Sequence, residues 1–300
     1  MRKGLALLLG VTMAFSAAAC GNGQKSATEG TDRKEAESGV TTAGATEGTT
    51  AQGTEGEDVE LIVFAAASMT ETLTEIAENY KNVAPNVKIT FNFDSSGTLK
   101  TQIEEGADCD VFISAAQKQM NQLDIEADPE VNKDGLDFVK QGTRIDLLEN
   151  KVVLVTPDGN PAGIEAFQDI TSDKLNLICL GNDDVPVGAY SLKILDYLGT
   201  SAEELEKGNK ITYGSNVKEV TTQVKEATVD CGIIYATDAF SAGLTPVAEA
   251  TAEMCGQVIY PAAVLNTTED ETEAQAFLDY LATDECAEVF EGVGFTALKK

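Results

Sequence analysis

Four short stretches of this chain each end an apolar run and open a helical pattern with residues able to donate hydrogen bonds. They are Ala67-Ser68-Met69, Ser95-Ser96-Gly97-Thr98, Val185-Pro186-Val187-Gly188 and Gly214-Ser215-Asn216-Val217. At such a junction the first backbone N–H groups of the helix have no intrahelical acceptor, and the helix dipole adds positive charge. The Ser68, Ser95 and Ser96 hydroxyls can donate or accept, Gly97 admits close backbone approach, and Pro186 suits the first helical position. A fifth element, Gly232-Ile233-Ile234-Tyr235, brings a phenol to the end of an apolar run. Any one junction is also readable as an ordinary Ser or Asn helix cap. Four together describe donors gathered around an anion. No Lys or Arg stands within these stretches. The chemistry therefore fits a small, fully ionised oxyanion, held by about six to twelve neutral hydrogen bonds. Asp183 and Asp184, beside the third junction, are read as solvated loop carboxylates, because a carboxylate in the pocket would repel the ligand.

The elements that must position these residues alternate along the chain. Apolar runs at Leu61–Ala66, Val87–Phe93, Val111–Ser114, Val152–Thr156, Leu175–Leu180, Gly232–Tyr235 and Val258–Leu265 read as strands. Between them, Met69, Leu73, Ile76, Ala77 and Tyr80 fall at helical spacing, as do Leu99–Ile103, Leu192–Leu198, Val217–Val224 and Ala274–Leu281. Alternation of this kind predicts parallel α/β sheets covered by helices, and the length suits two sheets better than one. The chain is expected to cross from one sheet to the other at Asp146–Asn150 and to return near Glu253–Val258. In open α/β sheets ligands collect at the carboxyl ends of strands, where the donor residues fall.

Composition narrows the function further. There is no histidine, which removes Ser-His-Asp and Cys-His nucleophile pairs and His-based zinc sites. An enzyme using Ser68 or Ser96 would need another base beside it. The formal charge is −29, unfavourable for nucleic acid or an anionic lipid surface. Of 21 Lys+Arg and 50 Asp+Glu, residues 1–58 hold 5 and 8, so the body keeps 16 against 42, net −26. Arg2 and Lys3 precede an apolar stretch too short to span a bilayer, ending in Ala17-Ala18-Ala19-Cys20. This reads as a lipoprotein export signal with Cys20 as the lipid-modified N-terminus; a plain secretory peptide is the alternative. Residues 21–58 are rich in Gly, Thr, Ser, Ala and Glu, without an aromatic, and are expected to be a disordered tether. The other cysteines, Cys109, Cys179, Cys231, Cys255 and Cys286, are odd in number and show no metal or redox spacing, so they are expected to be buried thiols.

The stretches Val63–Thr70, Ser95–Leu99, Asp110–Ala115, Val185–Tyr190, Gly232–Ala239 and Gly294–Thr296 together resemble the molybdate-binding protein of bacterial ABC importers. The resemblance implies a type II periplasmic-binding-protein fold with two α/β lobes, each a mostly parallel sheet flanked by helices, and a ligand cleft between them. It divides the chain into a signal peptide 1–19, an acidic tether 20–58, lobe 1 at 59–145 plus 258–300, and lobe 2 at 146–257. It implies that molybdate, and tungstate with it, is held by the hydroxyl and amide of Ser68, by Ser96, by the backbone around Val187, by the amide of Val217 and by the hydroxyl of Tyr235. Molybdenum would enter as the oxyanion, with no direct cation ligand and no cofactor. The implied partner is a membrane permease, with a monomer lipid-anchored through Cys20 on the extracytoplasmic face and no enzymatic activity. Gly97 stands where a third serine is common, and Val187 where alanine is commoner. Sulfate or another tetrahedral oxyanion is the competing ligand. A surface lipoprotein that binds a protein partner would leave the four junctions without use.

Overall fold

The structure is a computed structural model that describes residues 57–298. The expected signal peptide, Cys20 and nearly all of the expected tether lie outside the described residues. The first sheet starts at β1 (Val59–Ala66), in which Leu61, Val63 and Ala65 are fully buried. A 3-10 turn at Ala67–Met69 follows, then α1 (Thr70–Tyr80), which turns Leu73, Ile76 and Tyr80 onto the sheet. The chain continues through β2 (Val87–Asp94), α2 (Ser96–Glu104), β3 (Val111–Ile113), α3 (Gln117–Leu123) and β4 (Ile145–Asn150).

The second sheet opens at β5 (Val152–Val155), and β6 (Ile178–Gly181), α4 (Pro186–Tyr197) and α5 (Ala202–Lys207) follow. Next come β7 (Ile211–Gly214), α6 (Val217–Lys225), β8 (Cys231–Tyr235), α7 (Ala236–Ala242), β9 (Pro246–Glu249) and α8 (Ala252–Cys255). The chain then returns through β10 (Val258–Val264), α9 (Glu271–Leu281), α10 (Asp284–Gly292) and β11 (Thr296–Ala297). Strand orders are β11-β4-β10-β3-β1-β2 and β7-β6-β8-β5-β9.

Two sequence expectations change here. The sheets are mixed rather than mostly parallel. β1 runs parallel to β2 and β3, but β10 is antiparallel to β3 and β4, and β11 to β4. In the second sheet β6 is parallel to β7 and β8, while β5 is antiparallel to β8 and β9. The strands adjoining the two crossings, β4, β5 and β10, are each antiparallel to both of their neighbours. Second, residues 146–150, expected to open the second lobe, complete β4 and pair with β10 in the first sheet. The chain crosses within a single residue, Lys151, because β4 runs to Asn150 and β5 starts at Val152.

Besides β4, whose residues were read as the crossing, the strands β7, β9 and β11 have no counterpart among the apolar runs of the sequence. They are edge strands of two to four residues, and partly exposed ones carry little apolar signal. The cysteines Cys109, Cys179, Cys231, Cys255 and Cys286 are buried and unpaired. Among the described residues no helix is long and apolar enough to cross a membrane.

Candidate functional site

The four junctions meet at one cavity between the lobes. Its wall is made by Ala66, Ala67 and Ser68 after β1, by Asp94, Ser95 and Ser96 after β2, and by Ala115 after β3. The second lobe closes it with Val185 and Pro186, Val217 and Tyr235. The cavity measures ≈ 10 Å³, room for the centre of about one water-sized sphere. The first turns of α2, α4 and α6 border it, and amides there have no acceptor within their own helix. No Lys or Arg lies in the wall.

Helix capping does not account for the two key serines. In α2 the cap is Ser95, whose hydroxyl accepts from the Thr98 amide at 3.1 Å. Ser96 is the next residue, fully buried, and its Oγ accepts from the Ala115 amide at 2.9 Å. A hydroxyl that accepts from an amide keeps its own proton for another partner, and Ser96 lies in the cavity wall. Ser68 likewise caps nothing, since α1 has no side-chain cap; its Oγ lies 2.9 Å from the buried Tyr260 hydroxyl. The true cap of α6 is Asn216, which accepts from the Glu219 amide at 3.1 Å and leaves Val217 at the wall.

Tyr235 is buried, and its hydroxyl reaches the Ala115 carbonyl only at 3.5 Å, a weak contact. Burial holds its phenol protonated far above the usual range, with the neighbouring Tyr260 adding to the shift, so it enters the site as a donor. Val187 is fully buried but does not line the cavity; Val185 and Pro186 face it instead. Helix α4 packs hard on β6 at this point. A Cβ at Gly188 would meet the Gly181 carbonyl at 2.4 Å, so only glycine lets the first turn of α4 sit there.

Several residues of the site were not singled out from sequence. Asp94 puts a carboxylate in the wall, with Oδ1 accepting from the Ser95 amide at 2.7 Å and from Asn216 Nδ2 of the other lobe at 3.5 Å. Its adjacency to Ser95 was the available signal. The Asp183 and Asp184 side chains are exposed as expected, yet the Asp184 carbonyl accepts from the Gly97 amide at 3.0 Å and ties the lobes together.

Lys218 makes a second tie. Its Nζ binds Glu71 of the first lobe at 2.7 Å and lies 3.3 Å from buried Asp238. Neither Asp238 oxygen completes a well-aligned hydrogen bond. Burial pushes this carboxyl up to about 6, against the opposing pull of Lys218.

Apart from Asp94, whose carboxylate is engaged by the Ser95 amide and Asn216, the polar groups of the wall are neutral and able to donate to a small anion. No group of carboxylates and thiols among the described residues can hold a metal ion. The model of the bacterial extracellular solute-binding protein family matches residues 61–296. The chain belongs to that family.

A putative ABC transporter substrate-binding lipoprotein, YvgL of Bacillus subtilis, is 34% identical over 241 residues, covering 80% of this chain and 87% of that protein. The molybdate-binding protein ModA of Escherichia coli is 34% identical over 251 residues, covering 80% and 90%. Among solved structures, the substrate-binding domain of a putative molybdenum ABC transporter from Clostridium difficile superposes with a TM-score of 0.60 at 32% identity, covering 80% of this chain and all of that one. The periplasmic molybdate-binding protein of Azotobacter vinelandii gives 0.68 at 21% identity, with the same coverage, and speaks to the fold. The fold is thus the two-lobed α/β fold of type II periplasmic binding proteins. Substrate-binding proteins of ABC transporters are carriers, and this chain is a carrier rather than an enzyme.

Proposed function

We propose that this protein is an extracytoplasmic receptor for molybdate, and for tungstate by shared charge and shape, which hands the oxyanion to the permease of an ABC importer. The observation that carries this is the pair of buried serine hydroxyls, Ser68 and Ser96, aimed at a water-sized cavity that three helix N-termini border. Such a site replaces the hydration shell of a dianion with fixed donors and needs no cation. The name of the Escherichia coli relative at 34% identity supports molybdate as the ion. Ser68, Ser96, Val217 and Tyr235 would donate directly. Val187 would act through its amide in the first turn of α4, with the molybdenum atom touching no protein ligand and no cofactor taking part. Cys20 would carry the lipid that anchors a monomer to the membrane, a role the lipoprotein name of the Bacillus relative supports. Sulfate, a smaller tetrahedral dianion of the same charge, is the competing ligand.

Replacing Ser68 or Ser96 by alanine tests the site. Each loses a hydrogen bond to a charged ligand, about 1.5–3 kcal/mol, or roughly ten- to a hundredfold in affinity. The ligand-free melting temperature should fall by a few degrees, because Ser96→Ala strands the Ala115 amide and Ser68→Ala the Tyr260 hydroxyl, so affinity is read well below the melting temperature of each variant. Unchanged molybdate affinity in both variants would overturn the assignment.

A further inference from the structure

We propose that Asn150 and Tyr260 are positioning residues that make the Ser68 hydroxyl an obligate donor towards the bound anion, without touching the anion themselves. The inference rests on the oxyanion reading of the pocket, and it follows from counting protons along a buried chain of contacts. The Lys151 amide donates to Asn150 Oδ1 at 2.8 Å, which fixes which end of the Asn150 amide points where. The Nδ2 end therefore faces the Tyr260 hydroxyl at 3.1 Å and Thr237 Oγ1 at 3.0 Å. An amide NH2 has only protons to give, so the Tyr260 oxygen must accept.

A phenol carries one proton. Tyr260 is fully buried, and its remaining hydroxyl partner is Ser68 Oγ at 2.9 Å. The phenol proton thus goes to Ser68, and Ser68 accepts. The serine's own single proton is left for the cavity that Ser68 lines. The opposite polarity would turn both the Asn150 N–H and the Ser68 O–H onto one phenol oxygen and leave the phenol proton only the looser Tyr235 hydroxyl in place of the 2.9 Å contact with Ser68, the poorer arrangement in a buried site. Burial also holds the Tyr260 phenol well above its usual range, so the chain keeps its direction at any pH at which the protein is folded.

The first lobe uses the same logic twice. Ser96 is oriented by a backbone amide, Ala115, one residue at the end of β3. Ser68 is oriented by side chains that come from 82 and 192 residues further along the chain. Asn150 stands where the chain leaves the first sheet, and its two donor protons are shared between Tyr260 on β10 and Thr237 on α7 of the other lobe. The orientation of Ser68 is therefore built from both sides of the crossing.

Tyr260→Phe removes the phenol oxygen and keeps the ring. Freeing one hydroxyl rotor among three staggered positions loses about a factor of three, and losing the polarisation of a linked hydrogen bond adds a smaller factor. Molybdate affinity measured by calorimetry should fall about three- to tenfold. The deciding comparison is the background. In Ser68→Ala protein the same substitution should change affinity by less than about twofold, whereas in Ser96→Ala protein the full loss should remain. Asn150→Ala, carried through the same three backgrounds, should repeat the pattern, and it decides the matter if Tyr260→Phe fails to fold. Equal losses in the Ser68→Ala and Ser96→Ala backgrounds, or no loss in the wild-type background, would overturn the relay while leaving the pocket assignment standing. Failure of the unsubstituted protein to bind molybdate, tungstate or sulfate would overturn both.

Discussion

Gly97→Ala should cripple binding by holding the lobes apart. A Cβ on residue 97 would lie 2.3 Å from the Asp184 carbonyl oxygen and 2.8 Å from the Asp184 Cα, where ordinary contact begins at 3.4 Å. The obstacle is backbone on both sides, so no side chain can swing away. The lobes must part by about 1 Å, which also breaks the 3.0 Å hydrogen bond from the Gly97 amide. Overpacking of this kind costs about 1–3 kcal/mol. Because the clash exists only when the lobes meet, the cost falls on the closed, ligand-holding state and weakens affinity by about five- to 150-fold. The ligand-free protein should be untouched or slightly stabilised, since alanine is the better helix former in the first turn of α2. Calorimetry with molybdate and a melting curve without it separate the two effects. Asp184→Ala serves as the control and should bind normally, because only its carbonyl takes part. Wild-type affinity in Gly97→Ala would refute the claim that this contact belongs to the binding conformation.

Two further predictions concern charge. The Asp238 carboxyl is raised from 3.8 to about 6 in the folded protein, so the folded state holds its proton more tightly than the unfolded chain. The stability this contributes is complete below about pH 4 and is lost as pH rises through about 6. Asp238→Asn should therefore gain on the wild type between pH 4 and pH 8 by up to about 3 kcal/mol, read from denaturant midpoints; a difference that is flat with pH refutes it. Raising salt should leave the ligand dissociation rate nearly constant and, if anything, speed association slightly, because the body is strongly acidic and the cavity wall has no Lys or Arg. Stopped-flow rates across a salt series check this, and a steep fall in association would reveal a cationic cleft.

The strand-to-helix junctions were legible because their signal is local. Ser68, Ser96 and Val217 announce themselves through the residues on either side, and the structure brings all three to one cavity with Tyr235. What local spacing does not carry is the direction of each contact. Ser95 and Ser96 look alike in sequence and both line the pocket, yet the Ser95 hydroxyl is occupied in capping α2, whereas the Ser96 hydroxyl accepts from the Ala115 amide and keeps its proton for the pocket. Tyr260 is one apolar-strand aromatic among others until β10 pairs with β4 and sets it between Asn150 and Ser68.

Gly97 shows the same limit. Its freedom was visible, but its partner, the Asp184 carbonyl, comes from the opposite lobe. The mixed strand directions escaped notice for a related reason. Apolar runs mark strands without marking which way the chain travels when it returns, and the short edge strands β7, β9 and β11 bury too little to be marked at all.

The most direct test is a calorimetric titration of the purified protein with molybdate, tungstate, sulfate and phosphate in turn. The account predicts a single site that takes molybdate and tungstate at least tenfold more tightly than sulfate, a gap of about 1.4 kcal/mol. Equal or tighter binding of sulfate would contradict the molybdate assignment, and binding of none of the four would contradict the oxyanion site itself.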